Sequence, residues 1–306
     1  MSRHRAVIVG EATGWHARRL TETLAGRGHV AEIVPWQRLS AGLAISASER
    51  ETIGPTAVAQ ADIVVVRGMP GGGRTDQRLE HVIFRMNLLG RIANRGVRVI
   101  NSPRSLEVAI DKHLALCHIA AAGLTVPATR VVQDTAAAVA AWEDLGGDCL
   151  LKPLFGSRGR GLVRLKTAAD VEAATRSSTA TESCGGIFYI QQFIPHPGWD
   201  ARILLVGARS FAMRRHAGVG EWRTNLACGG QAEPFAPPDD WLSSARQAAA
   251  AVGTEIAGVD LIPTPDGGVA VLEVNGVPGW RGLEAATGAD ITGAVAEYVE
   301  QSTFAS

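Results

Sequence analysis

Two carboxylates and one amide have the spacing of a cation site. Asp260 lies in the apolar run Gly258–Ile262, and Glu273 and Asn275 lie in the run Val269–Asn275. Between them is Pro265-Asp266-Gly267-Gly268, and Asp-Gly is a strong signal for a two-residue type I′ hairpin turn. With Asp266 and Gly267 as the central pair, Pro265 opposes Gly268, Ile262 opposes Val271 and Asp260 opposes Glu273. Asn275 is two residues beyond Glu273 and shares its face. Facing carboxylates repel across a sheet, and unpaired charge is costly in an apolar setting. A divalent cation removes both problems. Three oxygen donors suit Mg2+ held together with substrate phosphates, with Mn2+ as the alternative ion. A solvated acidic face, or a carboxyl of raised pKa sharing a proton, is the competing explanation.

A second chemical feature is the loop Lys152–Gly161, with glycines at Gly156, Gly159 and Gly161 around Ser157. Glycines let backbone approach a ligand closely, and their N–H groups can cradle phosphate. The segment is not a P-loop, because Leu162 stands where that motif needs lysine and a strand follows rather than a helix. The G-x-G-x-x-G dinucleotide pattern fails as well, since Arg164 takes its last position. Two readings stay open: a flap over phosphates with Lys152 entering from the preceding strand, or a surface hairpin.

The elements that must position these residues follow from periodicity. Ala6–Val9, Val30–Val34, Ile63–Val66 and Val97–Ile100 read as strands, alternating with helices over Trp15–Arg27 and Gln77–Arg95. That alternation predicts a doubly wound α/β domain over residues 1–104, with Asn101–Arg104 as a linker. A helix follows over Asp111–Ala122, then strands at Cys149–Lys152 and Leu162–Leu165 and a helix at Ala168–Arg176, in a central unit of residues 105–186. Residues 187–306 hold strands at Ile187–Ile194, Ala201–Val206, Ser210–Arg215, Ile256–Ile262 and Val269–Val274. Helices are expected at Asp239–Val252 and, unbroken, at Ala285–Glu300. The fold class is therefore α/β followed by α+β.

Composition narrows the partners. Lys+Arg and Asp+Glu number 30 each, so no global field favours nucleic acid or an anionic membrane. No run approaches the ~18 apolar residues of a membrane span, and Ala6–Val9 is too short for a signal peptide. Cys117, Cys149, Cys184 and Cys228 form no C-x-x-C pair and read as reduced thiols. The expectation is a cytoplasmic protein, a homo-oligomer (dimer or tetramer), acting on small molecules.

With both sites in view, the chain from about Ile100 to Val299 resembles the ATP-grasp superfamily, and within it the RimK-type glutamate ligases. The resemblance rests on Asp111-Lys112, Ala122–Thr129, the Lys152–Gly161 loop, Gln191-Gln192-Phe193-Ile194 and Asp200-Ala201-Arg202. It continues through Arg214-Arg215, Trp222–Asn225 before Gly229-Gly230, Gly258-Val259-Asp260, Glu273–Gly279 and Gly282–Ile291. It implies an N-terminal α/β domain, a central lid and a C-terminal domain, with ATP between the last two. Lys112, Lys152 and the loop residues Gly156, Ser157, Gly159 and Gly161 would contact phosphates. Gln191 to Ile194 would lie along the adenine, and Asp200 would bind the ribose. Arg223 and Asn225 would approach the γ-phosphate and the reacting carboxylate, Arg202 or Arg223 would stabilise the oxyanion when the amine attacks, and Asp260, Glu273 and Asn275 would hold Mg2+. The family usually has Gln-Glu where this chain has Gln191-Gln192, and often two serines where it has Gly276-Val277.

The resemblance implies an ATP-dependent carboxylate–amine ligase that works through an acylphosphate, with L-glutamate as the amine. The cluster Arg202, Arg214, Arg215 and Arg223 adds a physical reason, since two guanidiniums, Arg214 and Arg215 among them, could grip the two carboxylates of glutamate. Arg67–Gly73, Val82–Met86 and Val97–Pro103 look like the N-terminal domain of the ligases of tetrahydromethanopterin and methanofuran biosynthesis, so the acceptor is expected to be a small cofactor acid. Gly71–Gly73 also follow a strand end, where α/β sheets place ligands. The alternatives are glutamylation of a protein C-terminus, as in the ligases of a ribosomal protein, and a nucleotide-binding protein without ligase activity.

Overall fold

The computed structural model describes residues 3–43, 51–71, 79–154, 161–177 and 186–303. Gly156, Ser157 and Gly159 of the loop, Gly72, Gly73 and Cys184 lie outside the described residues.

The first sheet is parallel, in the order β2-β1-β5-β6, from β1 (Arg5–Val9), β2 (Val30–Val34), β5 (Ile63–Val66) and β6 (Arg98–Ile100). A small antiparallel pair, β3 (Ser40–Gly42) and β4 (Thr52–Gly54), stands apart from it, followed by the short helix α2 (Thr56–Ala59). Helix α1 (Trp15–Gly26) covers one face and α3 (Leu79–Asn94) the other. Strand pleating explains the all-apolar sequence. Ala6 and Ile8 join the core under α1, while Val7 and Val9 join the core under α3.

Residues 101–104 are not a linker. Ser102 caps helix α4 (Pro103–Ile110) by accepting from Ser105 N, and Pro103 sits at the first turn, where its missing N–H costs nothing. Helix α5 (Lys112–Ala121) follows, capped by Asp111. The second sheet is antiparallel, in the order β7-β10-β8-β9, from β7 (Thr129–Val132), β8 (Cys149–Lys152), β9 (Val163–Leu165) and β10 (Phe188–Gln192). Helices α6 (Thr135–Asp144) and α7 (Ala168–Arg176) cover one face. Phe188–Gln192, grouped by sequence with the third unit, therefore pairs inside the second sheet.

The third sheet runs β13-β12-β11-β14-β15, all antiparallel, from β11 (Trp199–Val206), β12 (Arg209–His216), β13 (Gln231–Pro234), β14 (Ile256–Pro263) and β15 (Val269–Asn275). Helix α8 (Asp239–Val252) packs its alanine face on it. The expected single C-terminal helix is two, α9 (Arg281–Thr287) and α10 (Ile291–Thr303). Gly288 ends the first in the left-handed region at φ +69°, and Asp290 accepts from Gly293 N to start the second. Among the described residues no helix is long and apolar enough to cross a membrane.

Candidate active site

A cleft opens between the second and third sheets, and most of the expected site residues line it. Gln191, Gln192, Phe193 and Ile194 form one wall, with Leu150, Ile262 and Leu272 as apolar surface. The hinge strand has its own partners: Gln192 N donates to Ala128 O and Phe193 N to Asp148 O. Gln191 turns inward and is buried. It accepts from Lys152 Nζ at 2.5 Å and donates to Thr129 Oγ1 and Tyr189 OH, each at 3.0 Å. Thr129 and Tyr189, absent from the sequence-derived site, thus aim Gln191 at Lys152. Thr129 is the cross-strand partner of Gln191, and Tyr189, two residues before it on β10, shares its face; those two relations are the signal that locates them.

Lys152 and Lys112 meet at the same end of the cleft. Burial lowers the Lys152 ammonium from 10.5 to about 8; Glu273 and Asp260 oppose that shift and Lys112 adds to it. Burial also lowers Lys112, against Glu273 and Asp111. Lys112 opens α5 and donates to Leu154 O at 3.2 Å. Two desolvated ammoniums, Lys112 at the N-terminus of α5 and Lys152 at the end of β8, make a strong anion site. Gly161, at φ +74°, marks the described end of the glycine loop.

The acidic hairpin keeps its key pairing by a different route. Gly267 N donates to Thr264 O, and Pro263 opposes Val269, Ile262 opposes Ala270 and Leu261 opposes Val271. The expected pairings of Ile262 with Val271 and of Pro265 with Gly268 are therefore displaced by one residue. A bulge between Asp260 and Leu261 shifts the register back, so Asp260 still opposes Glu273, and Asn275 opposes Gly258. The extra residue is Leu272, which lines the cleft beside Glu273.

Arg202 stands beside both Asp260 and Glu273 and offsets the repulsion expected between them. Arg202 makes two 2.7 Å bonds to Asp260 and lies 3.9 Å from Glu273. Arg215 binds Asp200 at 2.7 and 2.5 Å and reaches Asp260 at 3.1 Å. Burial alone would raise the Asp260 pKa, but Arg202 and Arg215 outweigh it and hold the carboxyl well below the usual carboxylate range. Asp200, expected against a ribose, is buried with both oxygens on Arg215. It also lines the cleft.

Among the described residues, no three His, Cys, Asp or Glu side chains are grouped to hold a metal. The trio is two carboxylates and an amide. Asn275 Nδ2 donates to Glu273 Oε1 at 3.0 Å and to Gly258 O at 3.3 Å, so its oxygen is free of that pairing. Such a set fits Mg2+ as an ion whose remaining ligands are nucleotide phosphates and water, the usual way this ion is held.

Of the other arginines, Arg223 and the neighbouring Asn225 line the cleft, with Arg223 bonded to Glu221 at 2.5 Å. Arg214 does not join Arg215. It points to the opposite face of β12, where its guanidinium lies 4.4 Å from the Trp199 ring centroid and 4.3 Å from that of Phe235. Strand alternation forces neighbouring residues apart in this way.

Residues 109–299 match the family described as the RimK-like ATP-grasp domain. The chain is 31% identical to the tetrahydromethanopterin:alpha-L-glutamate ligase of Methanosarcina acetivorans, over 96% of this chain and 98% of that protein. It is 31% identical to the enzyme of the same name from Methanocaldococcus jannaschii, over 71% of this chain and 75% of that one. The solved structure of the ATP-grasp ligase PsnB, complexed with a phosphomimetic variant of its minimal precursor, Mg and ADP, superposes with a TM-score of 0.69. It is 23% identical and covers 99% of this chain and 100% of that one, a likeness of fold.

Proposed function

This chain belongs to the RimK-like ATP-grasp family, and from that premise we propose that it is an ATP- and Mg2+-dependent ligase that joins L-glutamate to a small acid of the tetrahydromethanopterin type. The observation that carries the reading is the cleft itself. It has two desolvated lysines at one end, an oxygen-donor hairpin beside them, and 31% identity along nearly the whole of a ligase with that acceptor.

The acceptor carboxylate attacks the γ-phosphorus of ATP, giving an acylphosphate and ADP. The glutamate amine then attacks the acyl carbon, phosphate leaves with the bonding pair, and the amine loses a proton. Such chemistry needs positioning and positive charge rather than a protein nucleophile. Lys112 and Lys152 hold the phosphate oxygens, and Gln191 fixes the Lys152 ammonium. Gln192 to Ile194, with Leu272, form the apolar wall for the base. Glu273, Asn275 and Asp260 hold Mg2+, which supplies charge neutralisation at the phosphates. Arg202, positioned by Asp260, and Arg223, positioned by Glu221, face the developing oxyanion. Asp200 acts through Arg215.

Purified protein with ATP, Mg2+, L-glutamate and a panel of small acids, read by mass spectrometry and by phosphate release, tests this. ADP and phosphate should form only with both acid and amine present, and one acid should gain a glutamyl residue. Glutamate appearing on a protein tail while every small acid is refused would overturn the acceptor assignment. Turnover without any amine would overturn the ligase.

A further inference from the structure

Among the described residues, the guanidiniums in and beside the cleft are already matched to carboxylates. Arg202 is held by Asp260, Arg215 by Asp200 and Asp260, and Arg223 by Glu221. Arg214 stands on the far face of its strand. A substrate with two carboxylates still needs a guanidinium that is sheltered from water and not yet neutralised. Arg67 meets that need.

Arg67 follows β5 directly. Its N–H donates to Val9 O at 2.7 Å, which sets it beside Gly10 at the end of β1. Strands β1 and β5 are the two central strands of the parallel sheet, and the chain leaves them in opposite directions, β1 toward β2 and β5 toward β6. The crevice beyond two such strand ends is where open α/β sheets take ligands. Glycines let the two ends close up. A Cβ on Gly10 would lie 3.2 Å from the Arg67 carbonyl carbon, and one on Gly68 would lie 3.4 Å from Gly10 Cα.

The side chain is oriented but not neutralised. One Nη donates to Pro278 O at 2.6 Å, and Cζ lies 4.2 Å over the Trp280 ring, which is itself fully buried. Arg67 Nε is buried and has no hydrogen-bond partner among the described residues. Burial lowers the guanidinium to about 9, and no carboxylate of the described residues pulls it back. An indole face and one carbonyl attract a cation without replacing a counter-ion. Pro278 also ties this crevice to the reacting end of the cleft. A Cβ on Gly258 would lie 3.0 Å from Pro278 Cβ and 3.9 Å from Arg202 Nε. Pro278, on the Arg67 side, is therefore separated from Arg202 by Gly258.

We propose that Arg67 is the subsite for one carboxylate of the amino-acid substrate, bound across the carboxyl ends of β1 and β5. The identity of that substrate as glutamate rests on the ligase reading above. The carboxylate supplies the missing counter-charge. The amine it carries is then directed past Pro278 toward Arg202 and the hairpin.

Calorimetric titration tests this on the full chain, with Mg2+ and a non-hydrolysable ATP analogue present. L-Glutamate, L-glutamine and γ-aminobutyrate are titrated into the wild type, Arg67→Gln and Arg67→Lys. Arg67→Gln should weaken glutamate roughly 10- to 100-fold, Arg67→Lys less, and neither should change affinity for the nucleotide analogue. One of the two analogues lacks the carboxylate that Arg67 holds, and that one should bind wild type and Arg67→Gln equally. Equal glutamate affinity in wild type and Arg67→Gln overturns the proposal, as does a loss that spreads to both analogues and the nucleotide alike. A wild type that binds the nucleotide analogue but not glutamate removes the glutamate reading, and this subsite with it.

Discussion

Lys152 changes charge within reach of ordinary buffers. Its native ammonium titrates at about 8 because of burial, against 10.5 for the unexposed-to-protein reference. Between those values the unfolded chain binds the proton that the native chain has lost, so stability rises with pH through that window; below about 8 the cost of the buried charge stands in full. Phosphate prefers the charged form. Affinity for an ATP analogue should therefore be flat below about pH 8 and fall above it by up to about tenfold per unit. Lys152→Gln should bind more weakly at neutral pH and lose that break, which titration at several pH values will show. Asp260 has a different signature. It neutralises Arg202 and Arg215, so Asp260→Asn leaves two sheltered guanidiniums short of a partner. The variant should lose turnover and about 3 kcal/mol of stability. A denaturant midpoint equal to or above wild type would show that the Arg202–Asp260 pair is not stabilising.

The β14–β15 hairpin illustrates what an element adds to its residues. Its turn shifts the register by one, and the bulge restores it before Asp260 and Glu273 meet. The same bulge places Leu272 and Glu273 side by side on the cleft, apolar surface next to an anionic ligand. Regular alternation would have sent Leu272 to the other face. Leu272→Ala should weaken the ATP analogue by about 5- to 20-fold through lost apolar contact. Its unfolding midpoint should move little, since the side chain is only half-buried. An equal loss of affinity for glutamate would mean that Leu272 shapes the cleft as a whole rather than the nucleotide's part of it.

At the scale of the molecule, the first and third sheets share a core. Ile8, Ile63 and Val65 pack in one cluster with Leu204, Met213 and Ile256, under α1 and α10. Asn101 fastens the same junction. Its Nδ2 donates to Ile256 O at 2.7 Å and Gly276 O at 2.6 Å, and its Oδ1 accepts from Glu255 N at 2.8 Å and Ile256 N at 3.0 Å. Asn101→Ala removes the side-chain partner of four backbone groups, three of them in buried bonds, and should cost about 3 kcal/mol. Calorimetry should show the first and third sheets melting in one transition in the wild type. A separate early transition for the parallel sheet would contradict a shared core.

The strands of the first sheet were legible because β-branched runs buried on both faces leave few alternatives. The facing of Asp260 and Glu273 was expected from a regular register that is off by one at the turn, and it holds only because a bulge the sequence did not announce makes up the difference. Asn101–Arg104 misled because a serine cap and a first-turn proline look like a linker until the helix they start has something to pack on. The unbroken C-terminal helix misled because periodicity cannot register one left-handed glycine. Two things were decided by tertiary structure alone. Arg202 came from a neighbouring strand to stand beside two carboxylates, and Arg67 came up against Pro278, 211 residues away. Each depends on which strands lie side by side and how they are registered, and that is settled by the burial of whole faces, a quantity no local run of residues contains.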